Sequence, residues 1–351
     1  MSQQPIKTAL CAFGISGWVF HAPFLQLHPG FQLYGVYERS KKQAAQKYPG
    51  TLSFNTLEDM LADANIELVV VNTPSPTHYE YAKKALTAGK HVIVEKPFTA
   101  TVAEAEELTK LAGSKNLALS VYHNRRYDSD FKTVKKILDK NLLGDIVDAE
   151  IHYDRYAVDL SYKAHKEIPG PAVGIIYDLG SHLIDQALTL FGKPEAVFAD
   201  IATRRVVATV TDYMNILLYY PKFRVHLKSS YHVREPLAAF IIHGTKGSFL
   251  KSRADVQEVA LQSGEAPGSE GWGREPEREK GWLHTEIDGK VIREQVPTEQ
   301  GNYFEFYDGV YQALRNNKQL PVTAEDGVAI IKIIEAANES SEKRVAIPVN
   351  W

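Results

Sequence analysis

The stretch Ala9-Leu10-Cys11-Ala12-Phe13-Gly14-Ile15-Ser16-Gly17 decides the fold class of this chain. It is a short apolar run that ends in a glycine turn, and a helix-like stretch follows from Val19. This order matches the strand, turn and helix that bind dinucleotides, although Ala12 stands where the Gly-x-Gly-x-x-Gly fingerprint has its first glycine. Gly14 would let a pyrophosphate approach the backbone, and Gly17 would let the helix pack closely on the strand. The alternative is a tight strand-to-helix turn that holds no ligand.

Short apolar strands and amphipathic helices alternate from this stretch to about residue 122. In the predicted helix at residues 101–112, Thr101 and Glu104 have the spacing of a capping box. The alternation is typical of an α/β fold with a doubly wound parallel sheet, so we assign residues 1–122 to a Rossmann dinucleotide-binding domain. The predicted strands cover residues 9–13, 31–37, 67–72, 92–94 and 117–122, and the predicted helices cover residues 57–63, 79–88 and 101–112.

The residues that follow these strands are polar, as a dinucleotide site requires. Glu38 lies 21 residues after Gly17, close to the spacing of the acid that binds the ribose hydroxyls of NAD. The basic run Arg39-Ser40-Lys41-Lys42 could instead hold the 2′-phosphate of NADP, but Glu38 would repel that phosphate, so the pattern favours NAD without excluding NADP. The stretch Thr73-Pro74-Ser75-Pro76-Thr77-His78 suits a cofactor cleft. A plain strand-to-helix loop has the same composition.

A lysine closes another buried strand, in His91-Val92-Ile93-Val94-Glu95-Lys96-Pro97. Ligands of an open α/β sheet bind beyond the carboxyl ends of its strands, which is where Lys96 is expected. Pro97 restricts the backbone and can aim Lys96 rigidly into that crevice. An ammonium group held there is suited to chemistry. The alternative is a surface lysine that caps a loop.

Beyond residue 123 the pattern changes to long alternating stretches, at residues 146–156, 196–203, 213–220, 224–232, 239–243 and 247–251. They predict an antiparallel sheet with one covered face, in a second domain of α+β type that spans residues 123–351. The segment 262–281 is rich in Gly, Glu and Pro and is predicted as a loop. A mobile flap, a subunit contact and a disordered insertion are the three readings of that loop.

Between those strands lies a predicted helix that begins with Asp178-Leu179-Gly180-Ser181-His182 and ends at Phe191-Gly192. Asp178 and His182 are four residues apart, so they would share a face at its first turn. A carboxylate there can orient an imidazole, and the imidazole can take a proton from an alcohol near neutral pH. The alternative is that Asp178 is an N-cap and His182 an ordinary, partly buried histidine. Asp178, His182 and Asp185 could also bind a metal, but no further clustered Cys or His supports one, so none is predicted.

The stretch Tyr122-His123-Asn124-Arg125-Arg126-Tyr127-Asp128 follows the last Rossmann strand, where two domains would meet. Its planar polar groups suit a polyhydroxylated ligand or the carboxamide end of a cofactor, and its arginines are equally consistent with an interdomain salt-bridge hinge. Further residues that could line the cleft are Tyr153, Tyr156, His165 and His232.

The composition narrows the class of protein. The 351 residues carry a net charge of −3, which gives no support for nucleic-acid binding or a polybasic membrane surface. Cys11 is the only cysteine, so an intrachain disulfide is impossible, and its apolar surroundings favour a core position. Residues 1–7 lack an apolar signal region and no long apolar run follows, so we expect a cytoplasmic protein that does not contact membranes.

Over essentially its whole length the chain resembles the Gfo/Idh/MocA family of NAD(P)-dependent oxidoreductases. The motifs that carry the resemblance are the turn at residues 14–17, the triplet Glu95-Lys96-Pro97, and Asp178-x-x-x-His182. Within the family it is most similar to the branch that contains NADP-dependent scyllo-inositol dehydrogenases, through residues 123–128 and Gly271-Trp272-Gly273-Arg274-Glu275-Pro276. Two departures are Ala12 in place of a glycine, which should be tolerated, and Glu38 where NADP-using relatives tend to have a small or basic residue.

The resemblance implies that the C-terminal domain has a large, mostly antiparallel open sheet, which commonly forms a homodimer or homotetramer interface. It implies a catalytic triad of Lys96, Asp178 and His182. The residues expected at the cofactor are Phe13, Gly14, Ile15, Ser16, Gly17, Glu38, Arg39, Thr73, Pro74, His78, Glu95, Lys96 and Asn124. Those expected at the substrate are Lys96, Arg125, Tyr153, Tyr156, His165, His182 and His232.

The expected function is transfer of hydride between a hydroxyl-bearing carbon of a sugar or cyclitol and a nicotinamide cofactor. His182 would be the general base, Lys96 would stabilise the negative charge that develops on the same oxygen, and Asp178 would orient His182. Two alternatives on the same fold are a cofactor-sensing regulator without turnover and an NAD-dependent, redox-neutral glycosidase. Retention of all three residues argues against the regulator.

Overall fold

The computed structural model describes residues 4–39 and 41–351. The expectations about residues 1–3 of the N-terminus and about Ser40 therefore lie outside the described residues. The chain forms two compact units, each built from several stretches of sequence. In the first unit, residues 257–272 and 302–328 join the stretch that ends at Asn124, and the second unit holds residues 125–256, 273–301 and 329–351. The domain boundary between residues 122 and 123 stays a prediction.

A six-stranded parallel sheet forms the centre of the first unit. Its strand order β3-β2-β1-β4-β5-β6 is that of a doubly wound dinucleotide-binding sheet, so the predicted fold class of this part is confirmed. The central strand β4 is buried along its whole length, which explains its unbroken apolar sequence. The strands are β1 Ile6–Leu10, β2 Phe31–Tyr37, β3 Leu52–Phe54, β4 Leu68–Val71, β5 His91–Glu95 and β6 Leu119–Tyr122.

The helices begin and end close to where the apolar periodicity places them. At the start of α5 the Thr101 hydroxyl accepts from the Glu104 amide and the Glu104 carboxylate accepts from the Thr101 amide, which confirms the capping box. Two π-helical turns, Ser16–His21 and Ile176–Gly180, precede α1 and α7. The helices are α1 Ala22–Leu27, α2 Gln43–Lys47, α3 Leu57–Ala62, α4 His78–Thr87, α5 Val102–Ser114, α6 Ser129–Asp139, α7 Ser181–Phe191, α8 Val256–Ser263, α9 Phe304–Asn316 and α10 Ala324–Lys343.

A nine-stranded sheet forms the second unit, in the order β14-β13-β12-β11-β7-β10-β9-β8-β15. Only β7 and β10 pair in parallel, so the prediction of a large, mostly antiparallel sheet is confirmed. Buried and less buried residues alternate along β9 and β10, as expected for a sheet with one covered face. The strands are β7 Ile146–His152, β8 Ala196–Ala202, β9 Tyr213–Tyr219, β10 Arg224–Ser230, β11 Phe240–Gly244, β12 Gly247–Lys251, β13 Gly281–Ile287, β14 Lys290–Val296 and β15 Ile347–Pro348.

Some boundaries differ from the sequence-based expectations. The first strand was expected at residues 9–13 but lies at Ile6–Leu10, because the turn begins directly after Leu10. The β13–β14 hairpin was not predicted. Its β14 strand has little buried surface, so its sequence lacks the apolar alternation by which a half-buried strand is found.

Aromatic residues far along the chain complete the core of the first unit. Tyr303, Phe306 and Tyr307, at the start of α9, are fully buried. The ring of Tyr307 stacks on Phe24 of α1 at 5.5 Å between centroids, and Phe306 meets Tyr122 of β6 edge-on at 4.8 Å. Helix α9 is therefore part of the first unit, although about 180 residues separate it from the stretch that ends at residue 124.

The segment 262–281 is anchored in both units, which argues against a disordered insertion. In the first unit Trp272 is buried and its indole Nε1 donates to Gln257 Oε1 over 3.1 Å. In the second unit the fully buried Lys251 Nζ donates to Glu275 Oε2 over 2.5 Å and to two backbone carbonyls.

Among the described residues, no helix is both long and apolar enough to cross a bilayer.

Candidate functional site

A cavity of about 1020 Å³ lies in the first unit, beside the carboxyl ends of β1, β2 and β4. That is the edge at which doubly wound sheets bind their ligands, and the volume suits a ligand as large as a dinucleotide. Among the residues expected at the cofactor, those on its wall are Phe13, Gly14, Ile15, Glu38, Arg39, Thr73 and Pro74.

The glycine turn after β1 has one open and one crowded glycine. A Cβ atom on Gly14 would meet no atom within 4 Å, so this backbone faces the open cavity. A Cβ atom on Gly17 would lie 2.5 Å from the Ala12 carbonyl oxygen and 2.8 Å from Asn72 Nδ2. Asn72 clamps the turn, because its Oδ1 accepts from the Ala12 amide over 3.0 Å and its Nδ2 donates to the Ala12 carbonyl over 2.9 Å. Gly17 is thus required by packing, and Gly14 leaves room for a ligand.

The Glu38 carboxylate caps a helix beside the cavity. Its Oε1 accepts from the Gln43 amide over 2.8 Å and its Oε2 accepts from the Ala44 amide over 3.1 Å, at the start of α2. The spacing that placed Glu38 at the cavity gave no sign of this capping role. Basic residues Arg39, Lys41 and Lys47 line the same cavity. Both signs of charge therefore lie where the adenosine end of a dinucleotide would bind.

His78 holds two loops together. It is fully buried, and its ring nitrogens lie 2.8 Å from the Pro97 carbonyl oxygen and 2.9 Å from the Thr73 carbonyl oxygen. Burial lowers the pKa of His78, although the two carbonyls oppose that shift. His78 therefore fixes the loop that follows β4 against the loop that follows β5, and the cavity wall is formed by Thr73 and Pro74 instead.

The Glu95 carboxylate, next to Lys96, accepts three hydrogen bonds. Ser16 Oγ donates over 2.5 Å, His21 Nε2 over 3.1 Å and the Lys96 amide over 3.1 Å. Burial alone would raise the Glu95 pKa, but the hydrogen bond and charge of His21, the Ser16 hydroxyl and the Lys96 ammonium outweigh it and bring the pKa to about 2. Glu95 is thus held ionised at the carboxyl end of β5.

His21 and Tyr307, which support Glu95, were not predicted from the sequence. His21 is fully buried, and its Nδ1 lies 2.7 Å from the Tyr307 hydroxyl oxygen. The Tyr307 hydroxyl donates to the Phe20 carbonyl over 3.1 Å, which leaves its oxygen to accept from His21. Lys96 follows Glu95 at the end of β5, and the Lys96–Pro97 peptide bond is cis.

In the second unit Asp178 lies in the π-helical turn Ile176–Gly180, and His182 lies in the first turn of α7. A regular helix through both residues was expected, and the wider turn corrects that expectation. Lys166 Nζ donates to both Asp178 oxygens, over 2.8 and 2.7 Å. The Asp178 carboxylate is therefore charge-compensated, and His182 is buried.

Two other expected substrate residues, Arg125 and Tyr153, share one partly buried carboxylate, that of Asp255. Arg125 pairs with Asp255, and the Tyr153 hydroxyl donates to Asp255 Oδ2 over 3.1 Å. Burial raises the pKa of Tyr153 to about 12. Arg253 stacks on the Tyr153 ring at 4.4 Å. This network fixes Arg125 and Tyr153 rigidly, and its members Asp255 and Arg253 were not predicted.

The remaining expected residues are scattered. Tyr156 is exposed, pairs across a β-bridge with His232, and carries the Arg234 guanidinium 3.8 Å above its ring. His165 lies in a short turn, where burial and the charges of neighbouring lysines lower its pKa. Asn124 is buried in the first unit.

Comparison with known proteins matches both parts of the chain to one oxidoreductase family. Residues 6–123 match its NAD-binding Rossmann fold and residues 135–350 match its C-terminal alpha/beta domain. The scyllo-inositol 2-dehydrogenase (NADP(+)) IolW of Bacillus subtilis is 39% identical over 97% of this chain and 95% of its own length. The oxidoreductase C115.03 of Schizosaccharomyces pombe, uncharacterized, is 43% identical over 98% of this chain and 99% of its own. The crystal structure of an oxidoreductase from Bacillus cereus superposes with a TM-score of 0.91 at 33% identity, over 99% of both chains.

Proposed function

We infer that this chain, which belongs to the Gfo/Idh/MocA family of NAD(P)-dependent oxidoreductases, is a dehydrogenase that acts on a CH–OH group of a sugar or cyclitol. The observation that carries the proposal is Lys96, fixed beside the ionised Glu95 at the carboxyl end of β5. The name of the relative IolW supports a cyclitol as one member of the substrate class.

The residues of the first unit fit a dinucleotide. The open space over Gly14 admits a pyrophosphate close to the backbone, and Thr73 and Pro74 line the same cavity. When bound, the nicotinamide supplies the chemistry of accepting or returning a hydride. The protein supplies position and charge around it.

Three side chains would handle the proton and the charge of the substrate. His182 would remove the proton from the reacting hydroxyl, since imidazole titrates near neutral pH. The Lys96 ammonium would donate a hydrogen bond to the same oxygen and stabilise its developing negative charge. Asp178 would orient His182, which lies four residues further along the chain.

The choice between NAD and NADP depends on Glu38 and its basic neighbours. A carboxylate that caps a helix retains lone pairs for a ribose hydroxyl, and its charge opposes a 2′-phosphate, which supports NAD. Arg39 and Lys41 on the same wall, and the NADP in the name of IolW, support NADP. We keep NAD as the proposed cofactor. Replacing Glu38 with Gln should then raise kcat/KM for NADP relative to NAD, and an unchanged ratio would contradict this role.

The first experiment follows absorbance of the reduced nicotinamide with a panel of inositols, aldoses and sugar derivatives, offered NAD and NADP separately. Lys96→Ala should lower kcat at least ~100-fold with the best substrate and leave cofactor binding intact. Lys110→Ala, an exposed lysine on α5, is the matched control and should change neither. Equal activity of Lys96→Ala and parent across the panel would refute the assignment. If the parent gives no absorbance change with any substrate although calorimetry detects cofactor binding, the regulator or the redox-neutral glycosidase is favoured.

We also propose that copies of the chain associate through the open face of the nine-stranded sheet. Outward positions there are apolar: Leu250 of β12 lies opposite Trp282 of β13, and Phe198 of β8 lies opposite Leu217 of β9. Exposed apolar side chains on a broad sheet are typical of a subunit interface. Light scattering should give a dimer or tetramer, and Trp282→Glu should shift it towards the monomer.

A further inference from the structure

The neighbourhood of Asp178 in the second unit holds charged groups of both signs, most of them in ion pairs. Lys166 pairs with Asp178 and cancels its charge. The charge of Asp178 raises the pKa of Arg155, so the two groups lie near each other. Both also shift the pKa of the Tyr231 hydroxyl, which Asp178 raises and Arg155 lowers. The Arg155 guanidinium itself forms no ion pair among the described residues.

Arg155 is held in place without a counter-ion. Its amide donates to the Ser230 carbonyl over 2.9 Å and its carbonyl accepts from the Val233 amide over 3.1 Å, so the backbone is fixed on both sides. Its guanidinium lies 5.2 Å from the centroid of the Tyr153 ring. Its side chain is exposed, and no carboxylate of the described residues is within ion-pair distance of it.

The nearby acids are already engaged. Asp154 pairs with His152 over 3.2 Å and accepts from the Ser230 amide over 3.1 Å. Glu167 and Asp212 both bind Arg205. The other groups that face this region, Lys163 and His165, add no negative charge.

We propose that Arg155 binds a carboxylate of the substrate, so that the enzyme acts on a sugar acid or an acid of similar polyol structure. This rests on the proposed dehydrogenase function and narrows its substrate class. The planar fork of a guanidinium matches a carboxylate with two parallel hydrogen bonds, and stacking on Tyr153 fixes its orientation. A single guanidinium balances one negative charge, so it suits a carboxylate better than a doubly charged phosphate.

The test compares binding and turnover of glucuronate, glucose and glucose 6-phosphate. Calorimetry with the full chain, with and without cofactor, should show glucuronate binding more tightly than glucose. Arg155→Gln should weaken glucuronate binding at least ~10-fold and leave glucose binding unchanged, as expected for the loss of a charge-assisted pair. Arg155→Lys, which keeps the charge but loses the fork, should fall between the two.

Arg204→Gln is the matched control, since Arg204 is also exposed and lies 5.1 Å from the ring of Tyr213. It should bind glucuronate like the parent, and circular dichroism checks that every variant is folded. Equal binding of glucuronate and glucose by the parent, or tighter binding of glucose 6-phosphate, would overturn the proposal. If the protein oxidises neutral polyols but does not bind glucuronate, the carboxylate proposal is overturned and the proposed dehydrogenase function is retained. Arg155-dependent glucuronate binding without any turnover would support the carboxylate site and count against the dehydrogenase.

Discussion

Replacing His21 with leucine tests how the largely buried Glu95 carboxylate is kept in place. His21 donates to Glu95 from one ring nitrogen and contacts the Tyr307 hydroxyl with the other. Leucine has a similar volume but neither hydrogen bond nor charge. We expect His21→Leu to destabilise the first unit and to raise the pKa of Glu95.

The magnitude follows from the Glu95 pKa. A fall from 4.5 to about 2 corresponds to roughly 3 kcal/mol of extra stability for the ionised form. Among the groups that lower the Glu95 pKa against the effect of burial, His21 contributes most. Its loss should therefore remove most of that free energy at pH 7. Breaking a buried charge pair typically costs about 3–5 kcal/mol, which agrees.

The assay is urea unfolding of parent and variant between pH 7 and pH 3.5, followed by circular dichroism and tryptophan fluorescence. A carboxylate whose pKa is depressed in the folded state contributes stability above its unfolded pKa, and this is lost as the pH falls from 4.5 towards 2. The gap in unfolding free energy should therefore shrink by about 1 kcal/mol between pH 5.5 and pH 3.5. Tyr307→Phe, which removes one hydroxyl and keeps the His21–Glu95 contact, should cost only about 1 kcal/mol at either pH. A difference in unfolding free energy between the parent and His21→Leu below ~0.5 kcal/mol at pH 7, or a difference that does not change with pH, would refute the reasoning.

Four further substitutions have distinct expected results. Gly14→Ala should weaken NAD binding at least ~10-fold by calorimetry without lowering Tm, because its Cβ meets only cavity, whereas Gly17→Ala should lower Tm as well, because its Cβ clashes with backbone; equal Tm values for both would contradict this. Lys251→Met should cost about 3–5 kcal/mol in denaturant unfolding, since it leaves a buried carboxylate uncompensated; a neutral effect would show that the carboxylate becomes protonated. Arg205→Met should speed proteolysis within residues 159–167, which it ties down by hydrogen bonds to Asp159 and Glu167, and unchanged cleavage would exclude that tie.

Local patterns predicted the parallel sheet, the capping box and the position of the glycine turn, because each depends on neighbours within a few residues. Local patterns could not predict the capping role of Glu38. Its carboxylate can accept from the amides at the start of α2 only because the chain turns back after β2, and the sequence does not show that turn. Nor could local patterns reveal π-helical turns, because the apolar stripe of α7 continues across the junction with Ile176–Gly180 and hides the extra residue.

Contacts between distant residues explain the rest of the misses. His21 and Tyr307 are 286 residues apart, and no motif in the sequence around either residue predicts that they are in contact. Asp255 sits in a left-handed backbone conformation with φ of 50°, from which it reaches Arg125 and Tyr153. In the sequence, the signal for His21 is a polar residue within the apolar stretch Val19-Phe20-His21-Ala22, since a buried polar group needs partners.

The late position of α9 has a consequence for synthesis on the ribosome. The Rossmann strands emerge first, but the rings of Tyr303 and Tyr307 that cover Phe24 follow only after about 180 more residues. At ~5–20 residues per second this interval lasts roughly 10–40 s. Throughout it the nascent nucleotide-binding unit carries an uncovered aromatic face. Such a face is a natural site for chaperones that act on nascent chains, and slow codons within this interval would prolong the exposure.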